Sequence, residues 1–207
     1  MKILRKFLFI VYIYQFISII VHFIKEKLLL FPLYTQYIST ENIENIETIY
    51  LENDCYVNIF FPEREERFKK CLFIFNDFSG NANTKYLLVR QLQKIFNSFT
   101  IIQLEYPGFG QSFHQTLTIS NIMNTCWETI NVFVVEKNIQ YYGFFSERFG
   151  SCVVSYLLEK QLKPNFILYY NPIYSLYHSS LEIVPILFKI FMFPLIFWNN
   201  NDNHQNI

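Results

Sequence analysis

The residues of this chain whose types and spacing could do chemistry lie in Ile139 to Tyr156, IQYYGFFSERFGSCVVSY. This stretch predicts a buried strand, a sharp glycine-bearing turn and the start of a helix. That is the layout of an elbow of the form G-x-S-x-G, in which a strained strand-to-helix turn lifts a serine hydroxyl above a sheet. With Gly150 as the second glycine, the motif runs Ser146, Glu147, Arg148, Phe149, Gly150, and arginine stands at the nucleophile position. With Gly143 as the first glycine, the nucleophile position falls on Phe145 and the second glycine on Glu147. Neither frame supplies a nucleophile, because a guanidinium stays protonated and has no lone pair with which to attack a carbonyl. Ser146 is the alternative nucleophile. Ser151 and Cys152 are expected to point into the packed first turn of the helix, and no general base stands beside any of the three. For Arg148 two roles are open: a salt bridge to Glu147, Glu105 or Asp77, or a contact to an anion at a helix N-terminus.

The elements that must position this turn alternate between strand and helix, the pattern of a mostly parallel sheet with helices on both faces. Thr48 to Leu51 and Tyr56 to Phe61 read as a hairpin turning at Asn53 and Asp54. Cys71 to Phe75 is a short apolar strand. Thr84 to Phe96 is a helix with Leu88, Leu92, Ile95 and Phe96 on one face. Phe99 to Leu104 is a strand, and Ile119 to Val135 a helix with Ile119, Ile122, Met123, Cys126, Ile130 and Val134 along one side. The elbow strand follows, then a helix from Ser151 to Leu162 and a strand from Phe166 to Tyr170. The five glycines, Gly80, Gly108, Gly110, Gly143 and Gly150, are assigned to the turns of this scheme.

Three motifs carry a resemblance. LEYPGFGQS, Leu104 to Ser112, is similar to a strand-end loop D-x-x-G-x-G-x-S; RFGSCVVSYLL, Arg148 to Leu158, resembles an S-x-G-S turn and its helix; NPIYSL, Asn171 to Leu176, resembles the segment after the next strand. On these residues the chain from about Thr48 to Leu176 resembles the α/β-hydrolase superfamily, and most of all its membrane-anchored, serine-hydrolase-like branch. The resemblance implies an incomplete α/β-hydrolase-like fold and locates the departures from its chemistry. The nucleophile aligns with Arg148. The oxyanion loop, which commonly carries His-Gly, has Asn76 and Asp77 in FIFNDFSGN, where a carboxylate would oppose a developing negative charge. An acid and a histidine are expected from loops after two further strands, yet the histidines beyond the elbow are His178 and His204 and the acids beyond Glu159 are Glu182 and Asp202. Asp202 and His204 are expected to belong to a polar terminus, and His114, past the glycine loop, to be solvated.

Composition bounds the remaining possibilities. The 207 residues are 52% hydrophobic and 20% aromatic, enough for one sizeable core. Formal net charge is zero with dispersed charges, so no nucleic-acid partner is expected. Cys55, Cys71, Cys126 and Cys152 show no metal-ligand spacing and are read as buried thiols; no metal or cofactor is expected. Phe7 to Ile24 is an apolar run preceded by Lys2, Arg5 and Lys6, long enough for an uncleaved transmembrane helix. The excess of basic residues puts the N-terminus in the cytosol and the domain on the lumenal or extracellular side. The expected organisation is an anchor over 1–27, a juxtamembrane linker over 28–46, a core over 47–180, and an apolar C-terminal helix with a polar tail over 181–207. Leu181 to Trp198, broken by prolines and Lys189, is a poor membrane span. Two functions stand open: a catalytically inactive, membrane-anchored α/β-hydrolase-like protein that binds a lipid or a protein, or an esterase- or lipase-like serine hydrolase seen as a truncated or divergent chain.

Overall fold

The computed structural model describes residues 11–17, 19, 46–51, 53, 55–63, 66–78 and 82–173. The chain divides into two compact units, Met1–Phe31 with Tyr174–Ile207, and Pro32–Ile173. Of the first, residues 11–17 and 19 are described; they are helical, and Tyr12, Tyr14, Phe16 and Ile19 are exposed. Among the described residues no helix is long and apolar enough to cross a membrane. The rest of the expected anchor lies outside the described residues, as do the juxtamembrane linker, Gly80, His178, Glu182 and the Asp202–His204 tail.

The second unit is built on a six-stranded sheet: β1 (Ile46–Tyr50), β2 (Tyr56–Phe60), β3 (Lys70–Phe75), β4 (Thr100–Leu104), β5 (Tyr141–Glu147) and β6 (Phe166–Tyr170), in the order β1-β2-β4-β3-β5-β6. β1 and β2 form the expected hairpin, and β2 joins β4 antiparallel. The pairs β3–β4, β3–β5 and β5–β6 are parallel. Between the parallel strands run α1 (Tyr86–Ile95), α2 (Ile119–Glu136) and α3 (Gly150–Glu159), with 3-10 turns at Ala82–Lys85 and Gly110–Ser112.

β3 is apolar from Cys71 to Phe75 because it lies at the centre of the sheet, with both faces covered. Its alternate side chains go to opposite layers. Leu72 and Ile74 pack with Val89 and Leu92 of α1, together with Phe60, Ile101 and Phe145. On the other face Phe73 meets Phe133 of α2 edge-on, and Phe73 and Phe75 both meet Phe144 edge-on. Phe60, Phe73, Phe75, Phe144 and Phe149 are fully buried, each contributing on the order of 2–3 kcal/mol of transfer free energy.

α2 and α3 both stop where a residue enters the left-handed region. In α2 this is Asn138 (φ 49°), with Ile139 N–H donating to the Val134 carbonyl and Asn138 N–H to that of Val135. In α3 it is Gln161 (φ 66°), with Leu162 N–H donating to Leu157 and Gln161 N–H to Leu158. Each is a Schellman cap. The cap ends α3 at Glu159 rather than at Leu162 as expected from sequence.

Two further expectations are corrected. On α1, Val89 and Leu92 are buried whereas Ile95 is 71% exposed, because the face turned to the sheet carries Val89 and Leu92, with Leu88 and the following Phe96 packed beside them. Gly143 is not in a turn but inside β5, opposite Leu72 and Phe166. The ring of Phe166 occupies the space a Cβ at 143 would need. Gly108 (φ 84°) and Gly110 (φ 46°) do sit in a turn, in the left-handed region.

At Gly150 a Cβ would collide with the carbonyl oxygen of Phe75, a backbone atom, whereas at Gly143 it would meet a side-chain ring. Gly150→Ala is therefore expected to destabilise the fold by about 3 kcal/mol or more, and Gly143→Ala by about 1–2 kcal/mol. Urea-unfolding midpoints of the two variants check the order.

Candidate functional site

The chain leaves β3 for a helix on one face and β5 for a helix on the other. β3 to β4 steps one way along the sheet, and β4 to β5 crosses back over β3, so right-handed crossovers put α1 and α2 on opposite faces. Neighbouring strands whose connections diverge in this way leave a crevice beyond their carboxyl ends, the usual place for a site in such sheets. The residues that follow β3 and β5 are Asn76–Asp77–Phe78 and Arg148–Phe149.

The elbow predicted from sequence is formed. β5 ends at Glu147, Arg148 and Phe149 make the turn, and α3 starts at Gly150. Arg148 has φ 46°, the left-handed conformation that costs a side-chain-bearing residue free energy. Its N–H donates to the Tyr170 carbonyl at 3.1 Å, and its own carbonyl accepts from Ser151 N–H at 3.0 Å and from the Ser151 hydroxyl at 2.6 Å. The Ser151 hydroxyl also accepts from Ile173 N–H at 3.2 Å, so it is a strut of the turn.

The guanidinium at the nucleophile position is paired with the carboxylate at the oxyanion-loop position: Arg148 Nε lies 3.3 Å from Asp77 Oδ2, with the arginine side chain half exposed and the aspartate only 15% exposed. Of the three partners considered from sequence, Asp77 is the one used. Glu147 instead meets Lys85, whose Nζ is 2.9 Å from Oε1 and 2.8 Å from Oε2, both side chains being mostly buried. Glu105 turns toward the Ala82–Lys85 turn, its Oε1 accepting from Ala82 N–H at 3.0 Å. Burial pushes this carboxyl up to about 7, against a smaller opposing effect of the Ala82 hydrogen bond.

Aromatic rings fill the space beside the ion pair. Phe78 stacks on Phe149 at 3.7 Å and on Phe109 at 5.8 Å, while Tyr106 lies edge-on to Phe149 and Phe109. The Tyr106 hydroxyl donates to the Asn76 carbonyl at 3.0 Å, and Gln103 Nε2 donates to Asn76 Oδ1 at 3.3 Å. Asn76 is thereby buried as a support for the loop, not presented to the crevice.

Ser146 is fully buried in β5, opposite Phe75 and Tyr169, and its hydroxyl has no partner among the described residues. Cys152 is half-buried, and burial pushes its thiol up to about 11, away from the thiolate that nucleophilic attack requires. Cys55, Cys71 and Cys126 are buried free thiols. His114, the one histidine among the described residues, is exposed against the edge of Phe113. Among the described residues no group of three or more His, Cys, Asp or Glu is placed to hold a metal. The Lys85–Glu147 pair and the Phe78–Phe149 stack were not anticipated. YPGF and RFG flag aromatic residues beside the glycines, but no local signal joins residue 85 to residue 147.

The strand order, the crossovers, the left-handed elbow residue and the loop after β4 are those of the α/β-hydrolase fold. No family model matches the chain. An α/β-hydrolase superfamily protein from Enterococcus faecalis superposes with a TM-score of 0.51 at 19% identity, over 65% of this chain and 50% of that one. A thermostable carboxyl esterase from Bacillus coagulans does so with a TM-score of 0.50 at 10% identity, over 67% and 48%. In sequence, an uncharacterized protein of Acanthamoeba polyphaga mimivirus is 29% identical over 155 residues, 70% of this chain and 51% of the relative. The chain thus spans about half the length of the relatives it matches.

Strain at residue 148 and the ion pair to Asp77 are separable. Arg148→Ala removes the pair and keeps a Cβ at positive φ, whereas Arg148→Gly removes both. The glycine variant is expected to be more stable than the alanine variant by about 1 kcal/mol in urea unfolding. The natural chain should differ from the alanine variant by no more than the value of a half-exposed pair, about 0–1 kcal/mol.

Proposed function

We propose that this protein is a membrane-anchored α/β-hydrolase-like protein without serine-hydrolase activity, acting by holding a lipid or a protein ligand. The observation that carries the reading is the Arg148–Asp77 pair: a cation at the nucleophile position is bound to an anion at the oxyanion-loop position. Acyl transfer needs a nucleophile with a free lone pair and donors aimed at a developing negative charge. Here the first position holds a group that cannot attack, and the second a group of the wrong sign. The aromatic stack of Phe78, Phe109 and Phe149 supports an apolar ligand or ligand segment at this end of the sheet. The apolar run Phe7 to Ile24, with its preceding basic residues, supports an anchor with a cytosolic N-terminus and the folded unit on the lumenal or extracellular side. Neutral formal charge supports a partner other than nucleic acid.

The test is labelling with a fluorophosphonate serine-hydrolase probe, on membranes expressing the natural chain, its Arg148→Ser form, its Ser146→Ala form and an active serine hydrolase as control. The natural chain is expected to stay unlabelled while the control reacts. Labelling of the natural chain that disappears in Ser146→Ala would replace this reading by that of a serine hydrolase with a rearranged elbow.

A further inference from the structure

Glu105 follows β4 and is 5% exposed, in a place where a carboxyl would ordinarily require a cation. Its neighbours give it none among the described residues. The Ala82–Lys85 turn offers one backbone donor, Ala82 N–H, and the lysine of that turn is engaged with Glu147. The glycine loop offers Gly110, where a Cβ would come within 2.5 Å of the carboxyl, so the bare backbone lies directly against it. From the chain entering β2 the titratable group is the Cys55 thiol, which donates to the Glu105 carbonyl at 3.5 Å and is itself pushed by burial up to about 12, hence neutral. A buried carboxyl that meets an amide donor and, among the described residues, no counter-charge favours its neutral form.

This residue joins two loops. One is the turn leading into α1; the other is the Gly108–Ser112 loop, closed by Gly108 N–H donating to the Ser112 carbonyl and tied to β2 by Tyr56 N–H donating to the Ser112 hydroxyl at 3.3 Å. We propose that Glu105 is a proton-controlled latch: protonated, it holds the Ala82–Lys85 turn against the Gly108–Ser112 loop, and on losing its proton it must leave this pocket for water, releasing both. The inference is independent of which ligand, if any, the crevice takes. It makes access to that end of the sheet depend on pH.

The sign follows from linkage. The closed form holds its proton up to about 7, and the open form, with the carboxyl in water, only up to the ordinary 4.5. The latch is at full strength below the lower value, weakens as pH rises between the two, and levels off above the higher. The opening equilibrium should therefore rise about tenfold per pH unit across that window, roughly 300-fold in all.

Amide hydrogen exchange of the full chain in membranes, from pH 4 to 8.5 and corrected for the intrinsic pH dependence of exchange, reads this directly. Amides of 82–86 and 108–112 are expected to lose protection with that slope in the natural chain. In Glu105→Gln, which still accepts from Ala82 N–H but does not titrate, they should show no slope. Amides of β3 and of the middle of α2 should show none in either protein. A flat profile for the two loops in the natural chain overturns the latch, and that result stands even where the variant fails to fold. So does the same slope in Glu105→Gln, or an equal slope in β3 and α2, which would make the transition global unfolding.

Discussion

The first turn of α3 lies so close to β3 that the Phe75 carbonyl occupies the place of a Cβ at residue 150. This close approach governs the carboxyl end of the sheet. With the helix start held against β3, the chain leaving β5 has two residues, Arg148 and Phe149, in which to reverse from strand to helix. The reversal forces Arg148 into the left-handed region. Hydrogen bonds from Arg148 N–H to β6 and from Ser151 to the Arg148 carbonyl over-determine the turn, which is how a side-chain-bearing residue is kept in a costly conformation. The backbone of an elbow persists because packing below it demands that backbone, whatever side chain the turn carries.

The elbow's backbone and the side chain it carries are therefore set by different constraints. The geometry that would lift a nucleophile above the sheet lifts a guanidinium instead, and the nearest loop answers with a carboxylate. The guanidinium cannot attack and the carboxylate would oppose an oxyanion, and the two charges pair with each other at the crevice. The second pair, Lys85 with Glu147, is more deeply buried, so removing the lysine would leave the Glu147 carboxylate with little access to water. Beside the pairs, Phe78 stacks on Phe149, so apolar packing adjoins charge at this end of the sheet.

Glu105 obeys a different rule from its neighbours. Asp77 and Glu147 have cations in contact, whereas Glu105 meets an amide and a glycine backbone.

The order and type of the elements were legible in the sequence, because they rest on local pattern: the uninterrupted apolar run of β3, the apolar positions Ile122, Met123, Cys126 and Ile130 along α2, and glycines in the loop after β4. So was the central anomaly, since arginine at the elbow is a matter of counting residues back from Gly150. The tertiary structure alone decided which acid Arg148 takes, that Lys85 reaches Glu147, that Gly143 serves β5 by admitting the Phe166 ring, and that Val89 rather than Ile95 faces the core. These outcomes depend on which strands become neighbours and on the face to which each crossover returns. Strand order and handedness are properties of the assembled sheet, and no spacing within a single segment encodes them.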